Sequence, residues 1–480
     1  MQVYPVHLLD NAQDYRKAFL AYLFVCNDVL DPQRLADSLS QLLQTGDWKK
    51  LGGRLRTTNK GALELSVPAK FTPTEPAIGF SQKKINCDAG QHPLGKTLPS
   101  LSRDGPQQRL PRDMLLLTGV PNIPRSIEEV MQQDGPQLYL HVTVFADVTV
   151  VSLAWPHYLM DATGLQALLR NWSLVVNNKA QHVVPLLGAR ADPLEEILDD
   201  NMGSKEELVL EKLSLGPFQM LRLAFRFLWT SIFWSKLEER LIILSPNAMD
   251  RLCQQAREGL VGDGDDTVFV SEGDILTAWA TRMLAQSQPA TSVTVTSIIN
   301  ARFRLKALST ETRGAYVNNM LLFGYSTFVP GFDAEPLGRT ALSHREQLTK
   351  QCTEQQMLGY FRMQREHVVT KGKLRVLFGA SGSEVLAVNN LAKIDVFRDV
   401  DFSGAVLRPG GAQSRRNPPG TIIYYHPITL SEPPSFLNFF RVIGRDHSGN
   451  LLIEGKFRPE TWAHIFQDLE RLQGQKQLRC

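Results

Sequence analysis

A histidine and an aspartate four residues apart, His157 and Asp161, are the pair of side chains whose types and spacing could do chemistry together. An imidazole exchanges a proton near neutral pH, so it can act as a general base toward an alcohol once its ring is held in place. The chemistry that this predicts is the transfer of a group onto a hydroxyl oxygen. The alternative is a histidine that packs and hydrogen-bonds locally.

The elements around this pair place it in a connecting loop. Residues 148–155 form an apolar run that predicts a buried strand, and residues 165–172 have the apolar spacing of a helix. His157 is therefore expected between the end of a strand and the start of a helix, where loops commonly carry function.

The same spacing occurs a second time, at His464 and Asp468. The surrounding residues 458–472 have the pattern of an amphipathic helix, on whose surface two polar residues one turn apart are ordinary neighbours. Spacing therefore does not distinguish the two pairs, and the strand-to-helix context is what favours His157.

Length and composition allow two ordinary domains with apolar cores, because the chain has 480 residues of which 43% are hydrophobic. The formal net charge of +3, without a cluster of basic and aromatic residues, argues against nucleic-acid binding. The five cysteines are scattered, which predicts neither a disulfide framework nor a metal site. The first residues lack the pattern of a secretory signal, so we expect a reducing, cytoplasmic location.

The most apolar stretch of the chain, residues 217–234, is interrupted by Arg222 and Arg226 and is barely long enough to span a bilayer. We interpret it as a packed amphipathic helix. The alternative is weak attachment to a membrane face, or an apolar entrance for a substrate.

Strand and helix patterns alternate in both halves of the sequence. Asp31 is expected to cap the first long helix, and Ser271 a later one in a capping box with Asp274. Residues 81–113 are interpreted as a long polar surface loop, and residues 183–216 as a crossover between domains. We therefore predict two similar α/β domains that meet face to face, with a cleft at their interface.

Four segments, in order along the chain, resemble motifs of the BAHD acyltransferases, which move an acyl group from coenzyme A to an alcohol or amine. Residues 438–453 look most like the fungal branch of that family, which includes the trichothecene 3-O-acetyltransferases. The first segment, residues 35–56, resembles the family's opening and its Gly-Arg-Leu sequence, and the second, residues 157–164, resembles its His-x-x-x-Asp motif. The third segment, residues 300–305 with 314–319, resembles the family's two arginines followed by a Gly-aromatic-x-Asn turn. The fourth, residues 399–404, resembles the Asp-Phe-Gly-Trp-Gly motif.

The resemblance implies an α/β fold of two chloramphenicol-acetyltransferase-like domains, each a mixed sheet flanked by helices, with the active site in a channel at their interface. Residues 1–190 would form the N-terminal domain, residues 191–216 a crossover linker, and residues 217–480 the C-terminal domain. It also implies acyl-CoA, by default acetyl-CoA, as co-substrate, without a metal or a tightly bound cofactor. The expected enzyme is a monomer that acts on a hydroxyl of a hydrophobic secondary metabolite, such as a terpenoid, polyketide or alkaloid.

The resemblance further implies roles for single residues of the loop. His157 would be the general base, and no covalent acyl-enzyme would form. Asp161 would turn away from the cleft and tie the loop down through an ion pair with an arginine, while Gly164 would allow close packing. A catalytic His–Asp dyad is the alternative.

The segment around Asp401 departs from the family motif, since Asp-Phe-Ser-Gly-Ala stands in place of Asp-Phe-Gly-Trp-Gly. By resemblance Asp401 would be structural, paired with Arg302 or Arg304, which are expected on one face of a strand. Gly404 belongs to the same structural motif. A catalytic role for Asp401 is the alternative.

The resemblance does not define the groups that would stabilise the oxyanion or contact coenzyme A. The hydroxyls of Ser403 and Thr429 are candidates for the oxyanion donor. Lys393, Arg408 and Ser403 are candidates for contacts with coenzyme A.

Two other functions stay open. A peptide-bond-forming condensation domain also has a histidine in such a loop, but it takes its acyl group from a carrier protein and normally carries a second histidine where this chain has Pro156. The other is a non-catalytic binding or scaffold homologue, which the eroded segment around Asp401 keeps under consideration.

Overall fold

The computed structural model describes residues 1–59, 61–99, 107–110, 112–119, 123–200, 207–233, 236–260, 269–309, 314–376, 378–411, 415–431 and 438–474. The strands, in chain order, are β1 (Gln2–Pro5), β2 (Phe19–Cys26), β3 (Val29–Leu30), β4 (Arg54–Thr57), β5 (Leu63–Val67), β6 (Gly79–Lys84), β7 (Gln107–Arg109), β8 (Tyr139–Val144), β9 (Thr149–Pro156), β10 (Glu238–Leu244), β11 (Val293–Asn300), β12 (Leu321–Phe328), β13 (Glu384–Asn390), β14 (Val406–Arg408), β15 (Tyr424–Thr429), β16 (Asn438–Arg445) and β17 (Leu451–Phe457).

The α-helices, in chain order, are α1 (Gln13–Arg16), α2 (Pro32–Leu42), α3 (Ile127–Gln133), α4 (Ala162–Val176), α5 (Pro193–Asp200), α6 (Pro217–Phe233), α7 (Pro246–Glu258), α8 (Glu272–Gln286), α9 (Lys306–Ser309), α10 (Leu337–Gln351), α11 (Glu354–Lys371), α12 (Val396–Asp399) and α13 (Pro459–Gln473).

Two mixed sheets form the framework. One has the strand order β15-β2-β9-β8-β6 and the other β12-β11-β13-β16-β17-β10-β7. Each sheet combines parallel and antiparallel pairs, since β6 and β8 are parallel in the first and β13 is parallel to both its neighbours in the second. Helices α7, α8, α10 and α13 contribute with the seven-stranded sheet to a separate apolar core. The predicted α/β fold with mixed sheets and flanking helices is confirmed.

Strand β9 and helix α4 hold the predicted functional loop between them. All eight residues of β9 are buried, and the strand runs antiparallel between β2 and β8. A continuous apolar run is what a strand buried on both faces requires, which explains the pattern of residues 148–155. Helix α4 begins at Ala162, three residues before the predicted segment.

The two sheets exchange strands across the predicted domain boundary. Strand β15 pairs with β2 of the five-stranded sheet, although it comes from the second half of the chain. Strand β7 pairs with β10 of the seven-stranded sheet, although it comes from the first half. The division into residues 1–190 and 217–480 therefore does not separate the sheets, and helix α5 lies within the predicted linker.

The expected loop over residues 81–113 is wrong at both ends, because β6 and β7 lie there. Strand β6 is largely exposed and polar, so it has no alternation of apolar residues that could reveal it. Its backbone pairs in parallel with β8.

The predicted caps are confirmed, since Asp31 accepts two backbone N–H groups of α2 and Ser271 forms a capping box with Asp274.

Helix α6 is amphipathic as predicted, but it is not packed on all of its apolar positions. Leu223 is buried, whereas Phe218 is 88% exposed and Leu221 and Phe225 are also exposed. Among the described helices, none is both long enough and apolar enough to cross a membrane.

Candidate active site

The backbone of His157 is held on both sides. The residue directly follows the last residue of β9, and its N–H donates to the carbonyl of Ala18 at 2.8 Å. Its own carbonyl accepts a hydrogen bond from Nδ2 of Asn319, also at 2.8 Å. The ring is therefore presented from a fixed point at the end of a buried strand.

The His157 ring is half-buried and packs against the ring of Tyr15, with the ring centroids 4.9 Å apart. Its Nδ1 is enclosed and has no hydrogen-bond partner among the described residues. Burial lowers the pKa of His157, against smaller opposing effects of its own backbone carbonyl and of Asp161. A neutral ring with its proton on Nδ1 leaves the lone pair of Nε2 free to accept a proton.

The carboxylate of Asp161 is fully engaged elsewhere. It caps α4 by accepting the backbone N–H groups of Thr163 and Gly164 at 3.0 and 2.9 Å. Both of its oxygens also accept from the guanidinium of Arg302, at 2.9 Å each, and both side chains are buried. This arrangement is that of a bidentate structural ion pair. Within the described residues Asp161 makes no hydrogen bond to His157, so the alternative of a catalytic dyad is wrong.

The turn over residues 314–319 closes on the same ion pair. The Arg302 guanidinium donates to the carbonyls of Tyr316 and Asn318, and it lies 5.3 Å from the centroid of the Tyr316 ring. Residues 300–305 and 314–319, which resemble one motif of the family, are thus in contact, and together they hold the start of α4.

Gly164 lies where the turn meets α4. A Cβ atom at this position would stand 2.2 Å from the carbonyl oxygen of Val317 and 2.8 Å from its Cα. The close packing expected of Gly164 is confirmed.

We expect Gly164→Ala to destabilise the protein by about 1–3 kcal/mol, because the clash is with backbone atoms that no side-chain rotation can move. Urea unfolding followed by circular dichroism measures this. Gly90→Ala is the matched control, since a Cβ there meets nothing within 4 Å. Equal unfolding midpoints for the two variants would contradict the packing argument.

Asp401 is not where the sequence analysis expected it. Its backbone N–H donates to the Ser173 hydroxyl and its carbonyl accepts from Asn177, so it lies at the C-terminal end of α4. Asp161 caps the opposite end of this 15-residue helix, about 22 Å away. The predicted pairing of Asp401 with Arg302 or Arg304 and the alternative of a catalytic Asp401 are therefore both wrong.

The neighbours of Asp401 share its location. Ser403 donates its hydroxyl hydrogen bond to Asn177, and the Gly404 N–H donates to the same amide oxygen. A Cβ on Gly404 would stand 2.4 Å from the Val176 carbonyl oxygen, which explains the glycine. Ser403 is too far from His157 to stabilise an oxyanion there.

The two arginines of the 300–305 segment do not share a strand face. Strand β11 ends at Asn300, and the chain then turns, so that Arg302 is buried while Arg304 is exposed. The expectation of one strand face was wrong because the polar residues here belong to a turn.

The remaining candidates stay predictions. Arg408 donates to the Ala146 carbonyl in the turn between β8 and β9, and the eight residues of β9 put this turn about 26 Å from His157. Lys393 is exposed in the turn after β13. Thr429 is exposed at the end of β15, in register with Leu20 of β2.

Other features of the described residues do not add a second centre. Among the described residues, no group of three His, Cys, Asp or Glu side chains could hold a metal. The four described cysteines are free thiols. A cavity of about 690 Å³ lies against one face of α4, lined among others by Gln166, Arg170 and Phe303, and it does not include His157.

Sequence reasoning missed one buried carboxylate beneath the loop. Asp10 is fully buried and accepts hydrogen bonds from Asn318 and Asn319, the latter of which also contacts His157. The asparagines stood in a recognised motif, but the contact with Asp10 joins residues more than 300 positions apart, and no local pattern indicates it.

Known proteins are similar to this chain in sequence and in fold. No protein-family model matches the chain. The O-acetyltransferase PaAT-2 of Phomopsis amygdali is 32% identical over 486 residues, which cover 98% of each protein. The structure of F. graminearum TRI101, complexed with coenzyme A and deoxynivalenol, superposes with a TM-score of 0.67 over 98% of both chains at 13% identity. The first condensation domain of the CDA synthetase is less similar, with a TM-score of 0.53 over 96% of this chain and 88% of that one, at 14% identity.

The fold is the two-domain α/β fold of the chloramphenicol-acetyltransferase-like class, as in TRI101. The chain belongs to the family of fungal acetyltransferases of the BAHD type, which depend on acyl-CoA as co-substrate. The resemblance to this family that the sequence indicates is confirmed.

Proposed function

We propose that this protein is an O-acetyltransferase that moves an acetyl group from acetyl-CoA to a hydroxyl of a hydrophobic secondary metabolite, with His157 as the general base. The observation that carries the proposal is the state of the His157 ring, with Nδ1 enclosed beside its own carbonyl and Nε2 free. The name of PaAT-2 supports an oxygen acceptor and an acetyl donor. The TRI101 complex supports a site that holds coenzyme A together with a second small molecule.

In the proposed reaction the His157 imidazole acts twice, first as a general base and then as a general acid. Nε2 of His157 takes the proton of the acceptor hydroxyl while the oxygen attacks the thioester carbon. The tetrahedral oxyanion then collapses, the bond from carbon to sulfur breaks, and the leaving thiolate takes the proton from Nε2. No acyl group is attached to the protein, so no nucleophilic serine or cysteine takes part. Thr429 remains our candidate for the oxyanion donor.

The two rival functions have weaker support. The likeness to a condensation domain is lower than that to TRI101. A free Nε2 on an otherwise fixed histidine argues against a degenerate homologue, because a scaffold has no need of such a base. We also propose that the enzyme is a monomer in the cytoplasm. The four described cysteines are free thiols, which is consistent with a reducing compartment.

The test measures release of free coenzyme A thiol from acetyl-CoA over a panel of hydrophobic alcohols, with mass spectrometry of the products. Thiol release that requires an alcohol and yields its acetate ester supports the proposal. Ester formation from an acetylated carrier protein, without any from acetyl-CoA, would favour the condensation alternative. Stabilisation by coenzyme A without turnover on any donor or alcohol would favour the scaffold.

The pH dependence of kcat/KM is expected to reveal the buried base. Because burial lowers the pKa of His157, its neutral form persists below the usual histidine pKa of about 6.5. The acid limb should therefore lie below pH 6.5, with activity falling about tenfold per pH unit beneath it. A pH–rate profile with a non-ionising alcohol measures this, with circular dichroism at each pH as control. An acid limb above pH 6.5 in folded protein would contradict the assignment.

A further inference from the structure

Asp10 is fully buried under the loop that carries His157, although no step of the proposed reaction uses it. Its Oδ1 accepts both the backbone N–H and the side-chain Nδ2–H of Asn319, at 2.9 and 2.7 Å. Its Oδ2 accepts from Nδ2 of Asn318 at 2.7 Å. Three N–H donors offset part of the cost of removing a carboxylate from water.

Asn319 connects this carboxylate with the histidine. Its Nδ2 donates to Asp10 and also to the His157 carbonyl, at 2.7 and 2.8 Å, so both of its amide hydrogens are used. Its Oδ1 is enclosed and has no partner among the described residues. The Asp10 carboxylate and the His157 carbonyl can only accept hydrogen bonds. The Asn319 amide is therefore oriented with its NH₂ group, and not its oxygen, toward both of them.

Burial and the groups around Asp10 act on its charge in opposite directions. Burial raises the pKa of the Asp10 carboxyl to about 7, and the asparagine donors and the buried amine of Lys50 oppose that rise. Nζ of Lys50 is enclosed and has no hydrogen-bond partner among the described residues. His7 also faces Asp10, with Nδ1 4.0 Å from Oδ2, and its Nε2 is hydrogen-bonded to the Gly188 carbonyl at 2.8 Å.

We propose that Asp10 and Asn319 are positioning residues for the reaction. Asp10 orients the Asn319 amide, and the amide holds the His157 carbonyl where it accepts the Nδ1 proton. The Nε2 lone pair is thereby kept toward the substrate. This inference rests on the proposed function of His157 and adds to it the device that selects the ring tautomer.

The test compares two adjacent asparagines. Both Asn318 and Asn319 donate to Asp10, but Asn319 alone of the two contacts His157 through its side chain. We expect Asn319→Ala to lower kcat about 10–100-fold with KM changed less than about twofold, since displacement of a catalytic group by about 1 Å has effects of this size. Asn318→Ala should keep kcat within about twofold while losing a similar amount of thermal stability. Equal kcat losses in the two variants would overturn the proposal. Asn319→Ser takes the place of Asn319→Ala if the latter does not fold.

A double-mutant cycle tests whether Asp10 acts through Asn319. Asp10→Asn should lower kcat in the wild-type background and have little further effect in Asn319→Ala, because the partner through which it acts is gone. Additive losses in the two backgrounds would show that Asp10 does not act on His157 through this amide.

A readout independent of turnover separates this inference from the proposed function. Nitrogen NMR of protein labelled with ¹⁵N-histidine reports the tautomer of His157, assigned by the resonance missing in His157→Ala. We expect the Nδ1-protonated form in wild type and in Asn318→Ala, and a mixture of tautomers in Asn319→Ala. An unchanged tautomer in folded Asn319→Ala would overturn the proposal even in an active enzyme. The expected tautomer change in a protein without acetyl transfer would uphold the positioning and reject the proposed function.

Discussion

His157→Ala is expected to lower alcohol-dependent release of coenzyme A by about 10²–10⁴-fold, the range that a positioned general base contributes. The loss should fall on kcat, because the ring acts on the proton of the hydroxyl and the variant keeps the other residues of the site. The measurement is steady-state thiol release with a saturating alcohol, in parallel with mass spectrometry of the ester. Near-wild-type turnover in the variant would reject His157 as the base.

The fold of this variant should survive. The ring is half-buried, its main ring contact is with Tyr15, and the hydrogen bonds that fix the loop come from backbone atoms that alanine retains. His464→Ala is the matched control, because it breaks the second His-x-x-x-Asp pair of the same chain. That pair lies on helix α13, where Asp468 accepts a hydrogen bond from Trp279. Its turnover should equal that of wild type.

The elements that carry the site could be predicted because their signals are local. Strand β9 is buried on both faces and reads as an uninterrupted apolar run, and α4 follows it with helical spacing. The caps at Asp31 and Ser271 were predicted for the same reason, since each involves residues within one turn of a helix.

The placement of Asp401 could not be predicted because it depends on long-range packing. The resemblance gave the correct order of the motifs along the chain, but order does not tell which end of α4 each motif meets. Asp401 lies against Ser173 and Asn177 at one end, while Arg302 meets Asp161 at the other. Either carboxylate would have been an acceptable partner for Arg302 on grounds of charge alone.

The strand exchange between the sheets escaped prediction for a related reason. The partner of β15 is β2, about 400 residues earlier, and β7 is a three-residue strand paired with β10. Strand pairing is set by backbone hydrogen bonds between distant segments, for which a single sequence carries no periodic signal. A boundary drawn from composition therefore divides the chain at a place where the sheets do not divide.

Arg302→Leu is expected to lower the free energy of unfolding by about 3–5 kcal/mol, because it leaves the Asp161 carboxylate buried without its counter-charge. Urea unfolding followed by circular dichroism measures the change. Arg304→Leu is the matched control, since this arginine is exposed in the same turn and its loss should cost less than about 0.5 kcal/mol. A difference of less than 1 kcal/mol between the two variants would reject the view that this ion pair holds the loop.

The double variant with Asp161→Asn decides whether the loss comes from the orphaned charge. Asparagine keeps an oxygen that can cap α4 by accepting the N–H groups of Thr163 and Gly164, but it carries no charge that needs Arg302. The double variant should therefore be more stable than Arg302→Leu alone, although each substitution by itself destabilises. Simple additivity of the two losses would mean that the guanidinium acts mainly through its bonds to the Tyr316 and Asn318 carbonyls. The turn, rather than the charge pair, would then be what fixes the loop behind His157.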